Sequence, residues 1–181
     1  MTIPLSRSSD EAHLYMELHP CPCGESDFGR VSSVAEVHGE WRVRYTGRCV
    51  ECGRERAFEF RQPEHLTEPE DGAWAAGDAP SELLDAGEWL FVADTYGSVP
   101  TDRTELSDSG RDQLRTDLRA AAAALDEVLK FLPDGVDVLP EAACWSDRGR
   151  QVRDAEPGRL RRFRVTAARD TYRALLADLD R

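Results

Sequence analysis

The sequence is short of lysine, methionine and long apolar runs. Lys130 is the one lysine among 23 basic residues, and there are two methionines. An arginine-dominated composition rich in alanine and aspartate reads as that of a high-GC bacterial gene. No stretch of 18 apolar residues occurs, which excludes a membrane-spanning helix. The opening segment MTIPLSRSSDEAHLYMELHP has no apolar core behind Arg7. A secretory leader is therefore not expected, and the cytoplasm is the expected compartment. The patterns GxSxG, GxxxxGKS/T, HExxH and a strand-following GxGxxG are all missing. The four histidines, His13, His19, His38 and His65, are scattered, and none lies on a patterned helix facing an acid. No catalytic residue is assigned, and a non-enzymatic protein without a small-molecule substrate is expected.

Basic charge is also scarce over most of the chain. Residues 1–147 carry 13 basic and 30 acidic side chains, a net of −17, whereas residues 148–181 carry 10 and 5, a net of +5. The acidic part repels phosphate at long range and favours a basic protein partner. Its densest acidic face is expected at Asp102 to Asp117, together with the acidic linker 62–80. The one basic cluster, RLRRFR, holds Arg159, Arg161, Arg162 and Arg164. Residues 81–147, with 5 bases against 15 acids, are expected to cradle it inside the molecule.

What is present divides the chain into four parts. Residues 1–18 carry few order signals and read as a loose arm with a short helix at Asp10–Glu17. Residues 19–61 read as strands and turns. RVSSVAEV and EWRVRYTG flank a His38-Gly39 turn, and RERAFEFR follows. Trp41, Val43 and Tyr45 alternate, as do Phe58 and Phe60, which is the period of a half-buried strand with Arg42 and Arg44 on its other face. Residues 62–80 hold three prolines, two glycines and five acids with no base, and read as a linker containing Trp74. From Ser81 the period becomes helical, giving a domain over 81–181. Asp85 and Glu88 form a capping-box pattern before WLFVADTYG, with Gly97 as a stop. A long helix should run from Thr104 or Ser109 to Leu132. Pro157-Gly158 should open a last helix whose stripe is Leu160, Phe163, Ala167, Thr171, Leu175 and Leu179. The expected class is α+β: a small three-stranded sheet unit followed by a bundle of three to four helices.

Five cysteines are present, and four are clustered in pairs: Cys21-x-Cys23, then Cys49-x-x-Cys52 after 25 residues. In a reducing compartment such pairs are metal ligands more often than disulfides. Each pair ends in glycine, Gly24 and Gly53, which can take positive φ so that the turn's amides face sulfur. Four thiolates at about 2.3 Å would make a closed tetrahedral zinc site with a structural role. A region this small buries too little apolar area to fold unaided, and metal binding, worth roughly 10–16 kcal/mol, would supply the difference. His19 is an alternative ligand in place of Cys21 or Cys23. Cys144, in AACW, reads as a core helix residue.

With its knuckle, hairpin, knuckle and strand, residues 19–61 resemble the zinc-ribbon family. That resemblance implies a three-stranded sheet with zinc at one end. The second knuckle, CVECG, matches the family pattern, and the first, CPCG, is one residue short. PSELLDAGEWL, ALDEVLKFLP and EPGRLRRFR look like segments of uncharacterised actinobacterial proteins that join a zinc ribbon to a helical unit. Two functions follow as expectations. One is a zinc-containing binding protein that meets a basic partner through its acidic surface, similar in kind to immunity or antitoxin proteins. The other is a zinc-ribbon nucleic-acid binder in transcription or translation, with Arg42 and Arg44 on phosphates or bases.

Overall fold

A computed structural model describes residues 3–64, 74–98 and 107–179. These fall into two compact units: 3–64 with 81–83, and 74–80 with 84–98 and 107–179. The class is α+β, with one three-stranded antiparallel sheet and five α-helices among the described residues.

The first unit begins with helix α1 (Ser9–Leu18). Its start is fixed by Ser8, whose Oγ accepts from the Glu11 amide at 3.0 Å. The Glu11 carboxylate in turn accepts from the Arg7 amide (2.8 Å) and the Arg7 guanidinium (2.6 Å). Glu11 is fully buried and Arg7 nearly so. A buried charge is tolerable only when paired and hydrogen-bonded in this way. Strands β1 (Val31–Val37), β2 (Glu40–Arg48) and β3 (Glu55–Gln62) follow in the order β1-β2-β3. His38 (φ 55°) and Gly39 (φ 81°) make the two-residue turn between β1 and β2, the positive φ values that the primed hairpin turns require. One face of the sheet carries Val43, Tyr45, Phe58 and Phe60 in register. Helix α1 covers it: His13 packs on Tyr45 (5.5 Å), and Tyr15 meets Phe58 and Phe60 edge-on.

Two expectations need correction here. Residues 3–18 are not a loose arm but part of this unit. The Arg61 amide donates to Pro4 and the Ser6 amide to the Arg61 carbonyl, both at 2.9 Å, so the segment lies along the outer edge of β3. Trp41 is not core either, being 40% exposed. It stands opposite Glu36 and Gln62 at the turn end of the sheet, whereas the aromatic contacts of α1 fall on Tyr45, Phe58 and Phe60.

The second unit is helical. Asp85 caps α2 (Ala86–Tyr96) with the full capping box to Glu88, and Gly97 ends it. Helix α3 (Asp108–Lys130) starts at the Ser107 N-cap. Leu114, Leu118, Leu125 and Val128 are buried on it, and Ala121 to Ala124 let neighbours approach closely. A 3₁₀ turn at Glu141–Ala143 precedes α4 (Asp147–Ala155), and a second at Pro157–Leu160 precedes α5 (Arg162–Leu179). Trp74, in the expected linker, belongs to this unit. Its ring packs on Trp89 and Tyr96, and its Nε1–H donates to the Ala120 carbonyl at 3.2 Å. Linker residues 65–73, with His65, lie outside the described residues, as do Asp102 and Thr104.

The stripe of α5 also differs from expectation. Phe163 is 63% exposed, and Ala167 and Thr171 face solvent. Val165 is buried, and Ala168, Tyr172, Leu175 and Leu179 are half-buried along the same side. The 3₁₀ turn and the extended Arg161 (φ −92°, ψ 137°) break the phase, so Leu160 cannot set the register of the helix behind it. Two of the four cluster arginines, Arg159 and Arg162, are held by residues of 81–147, and Arg161 and Arg164 are exposed, Arg164 beside Glu156 (3.4 Å). Arg159 grips Asp94 with two bonds (2.5 and 2.7 Å), and Arg169 and Arg173 both meet Asp126. Arg162 caps the carbonyls of Leu132, Pro133 and Val136.

Candidate metal centre

Two tight turns bring four cysteines together. In the first, the Gly24 amide donates to the Cys21 carbonyl at 2.7 Å, and the Cys21 amide donates to Glu25 at 2.8 Å. In the second, the Gly53 amide donates to the Cys49 carbonyl and the Cys49 amide to Arg54, both at 2.9 Å. Gly24 (φ 98°) and Gly53 (φ 69°) occupy the left-handed region that closes each turn, a conformation costly for a residue with a Cβ. The first turn closes in the same manner as the second despite its missing residue.

The Cys21 and Cys52 sulfurs lie 3.5 Å apart, as do those of Cys23 and Cys49, and all four are within 4.8 Å of one another. A tetrahedron with arms of about 2.3 Å has edges of about 3.8 Å, so the cluster has the size a thiolate-bound metal needs. Cys21 and Cys49 are buried, and Cys23 and Cys52 are exposed. Backbone amides tune the sulfurs. The Cys52 and Glu51 amides draw the Cys49 thiol down to about 7. The Glu25 amide pulls Cys23 the same way, but sharing a proton with Cys49 and its neighbours leaves Cys23 pushed up to about 12. The two sulfurs titrate as a coupled pair, and a cation placed among the four would take them as thiolate ligands.

His19 is not part of the cluster. Its Nδ1–H donates to the Tyr15 carbonyl at 2.8 Å and its ring stacks on Tyr15 at 4.0 Å, so it closes the end of α1. Cys144 is buried in the other unit. It follows a 3₁₀ turn rather than sitting in a helix, and burial and then Asp85 push its thiol up to about 11. Arg42 and Arg44 lie on the uncovered face of β2. Arg42 pairs with Glu40 (3.2 Å) and Glu59 (3.4 Å), and Arg44 stands opposite Glu59.

Arg56 is the site residue that sequence reasoning missed. Its guanidinium donates to the carbonyls of His19 and Ser26, which bracket the first cysteine turn. The same group lies over the rings of Phe28 (4.8 Å) and Phe58 (5.0 Å). One buried arginine thus ties the first turn to β3. A signal was present: Arg56 shares the strand period of Phe58 and Phe60, and a charge on an aromatic core face calls for a specific partner.

Comparisons with protein families, with curated proteins and with solved structures give no match to this chain. The cysteine cluster therefore stands on its own geometry.

Proposed function

We propose that Cys21, Cys23, Cys49 and Cys52 hold one structural zinc ion in a zinc-ribbon unit, and that the chain is a cytoplasmic binding protein without catalysis. Zinc fits because four sulfur donors in a tetrahedral cluster leave no open position for substrate or water. Free thiols in a reducing compartment suit the same reading. No helix among the described residues is long and apolar enough to cross a membrane. The raised Cys144 thiol is the opposite of an activated nucleophile.

The partner is a basic protein, met through acidic surface, and an immunity- or antitoxin-like role is the most concrete form of this reading. The observation that carries it is the internal use of arginine. Arg159, Arg169 and Arg173 are matched within the chain by Asp94 and Asp126, and the chain as a whole carries a net charge of −12. Of the expected acidic face, Asp108 is exposed on α3, and Asp112 is exposed there in an ion pair with Arg115 (2.7 Å). The test is co-purification with, and protection against, the product of the adjacent gene. Tight, salt-weakened binding supports the reading, and absence of both binding and protection refutes it. Nucleic-acid binding through Arg42 and Arg44 is less supported, because Glu40 and Glu59 neutralise that face. Salt-sensitive binding to DNA or RNA that is lost when Arg42 and Arg44 become Glu would favour it instead.

A further inference from the structure

The two edges of the sheet are treated differently. The outer edge of β3 is covered by the chain at Pro4–Ser6, with Leu5 bridging to Arg61. Among the described residues nothing covers the outer edge of β1. Every residue from Val31 to Glu36 is exposed, Val31 at 67% and Val34 at 57%. Natural edge strands are usually blunted by lysine, proline, a bulge or an inward charge. VSSVAEV has no lysine or proline, and its register with β2 runs unbroken from Val31↔Thr46 to Val37↔Glu40.

The register shows which backbone groups are unused. A two-residue turn makes Val37↔Glu40 a hydrogen-bonded pair, so residues 31, 33, 35 and 37 direct their amides and carbonyls at β2. Ser32, Val34 and Glu36 direct theirs outward. We propose that this edge pairs with the same edge of a second copy, antiparallel, with Val34 opposite Val34 of the other copy on a two-fold axis.

The strand is self-complementary about Val34. Centred there, Ser32 meets Glu36, Ser33 meets Ala35, and Val31 meets Val37. Every outward amide and carbonyl of the three residues then finds a partner. The single charge, Glu36, faces serine rather than its own copy, so no like charges oppose one another. Charge repulsion between copies is weakest around the sheet. The chain carries a net of −12, but residues 19–61 hold seven acids and seven arginines. A partner selected by charge gains nothing at this edge, whereas a second copy is matched to it by the register.

The test is the native mass of the full chain with its metal in place, measured by light scattering across a concentration series. The wild type should rise from 20.3 kDa toward twice that value. V34K and V34E each place like charges on the axis and should weaken pairing by about tenfold or more. Val34 is exposed, so either side chain is accommodated in the single chain; unchanged circular dichroism and metal content check this, and if V34K misfolds, V34E carries the same test. An equimolar mixture of V34K and V34E should restore the doubled mass. A wild type that stays at single-chain mass to about 100 μM overturns the proposal. Variants that assemble as well as the wild type overturn it equally.

Discussion

Asp85 is fully buried, and its two oxygens serve two helices. Oδ1 accepts from the Glu88 amide at 2.9 Å, inside the α2 capping box. Oδ2 accepts from the Ser146 amide at 2.7 Å, at the N-cap of α4. Replacing it by alanine strands both amides where no other acceptor is placed. Each stranded buried donor costs about 1–3 kcal/mol, so Asp85→Ala should cost about 2–6 kcal/mol. For a unit on the order of 100 residues, a loss near 4 kcal/mol lowers the melting temperature by roughly 15–30 °C. Asp85→Asn keeps one acceptor and should cost about half as much. The control is Ser107→Ala, which removes the exposed cap of α3 (3.2 Å to the Gly110 amide) and should cost about 1 kcal/mol. Urea unfolding followed by circular dichroism at 222 nm reads all three, since α2 to α5 hold most of the helix. If Asp85→Ala costs no more than Ser107→Ala, the idea that one carboxylate joins two helix starts is refuted.

Three further outcomes follow from the packing and the charges. Gly149→Ala should destabilise the helical unit although alanine favours helix by about 1 kcal/mol. The new Cβ would lie 2.1 Å from an Asp85 oxygen, and a variant as stable as the wild type in the same urea assay would contradict this. Arg56→Lys should release metal at about tenfold lower chelator concentration, because lysine cannot reach both the His19 and Ser26 carbonyls while lying over two rings; an unchanged release curve would contradict it. His13 is held below its ordinary value by burial, and next by Arg30, against the opposing pull of Asp10 and Glu17. The unfolded chain therefore takes up this proton first as pH falls. Its stabilising effect is present above about 6.5 and is lost as pH drops through the folded value. The stability difference between the wild type and His13→Asn should shrink from pH 7.5 to 5.5, and a constant difference would contradict this.

Local signals were legible in the sequence, and non-local ones were not. Asp85, Glu88 and Gly97 bound α2 through contacts within one turn, so their spacing is enough to place it. The link from Asp85 to Ser146 spans 61 residues and leaves no trace in spacing. The N-terminal segment looked unstructured for the same reason. Its anchors are a buried Arg7–Glu11 pair and a bridge to Arg61, and polar residues read as solvated until a partner is known. The α5 stripe failed at Arg161, where one extended residue resets the helical phase. The cysteine pairs were legible because a tight turn that brings two sulfurs together imposes a short spacing. Arg56 was not, because counting it among the charges hid the aromatic face it shares.

The central claim is that four sulfurs bind one metal ion and that this binding holds the first unit together. X-ray absorption at the zinc edge, on untagged protein whose metal content has been measured, tests it most directly. One zinc per chain with four sulfur neighbours at about 2.3 Å is the predicted result. Well under one zinc per chain, or nitrogen and oxygen in the first coordination sphere, would contradict it.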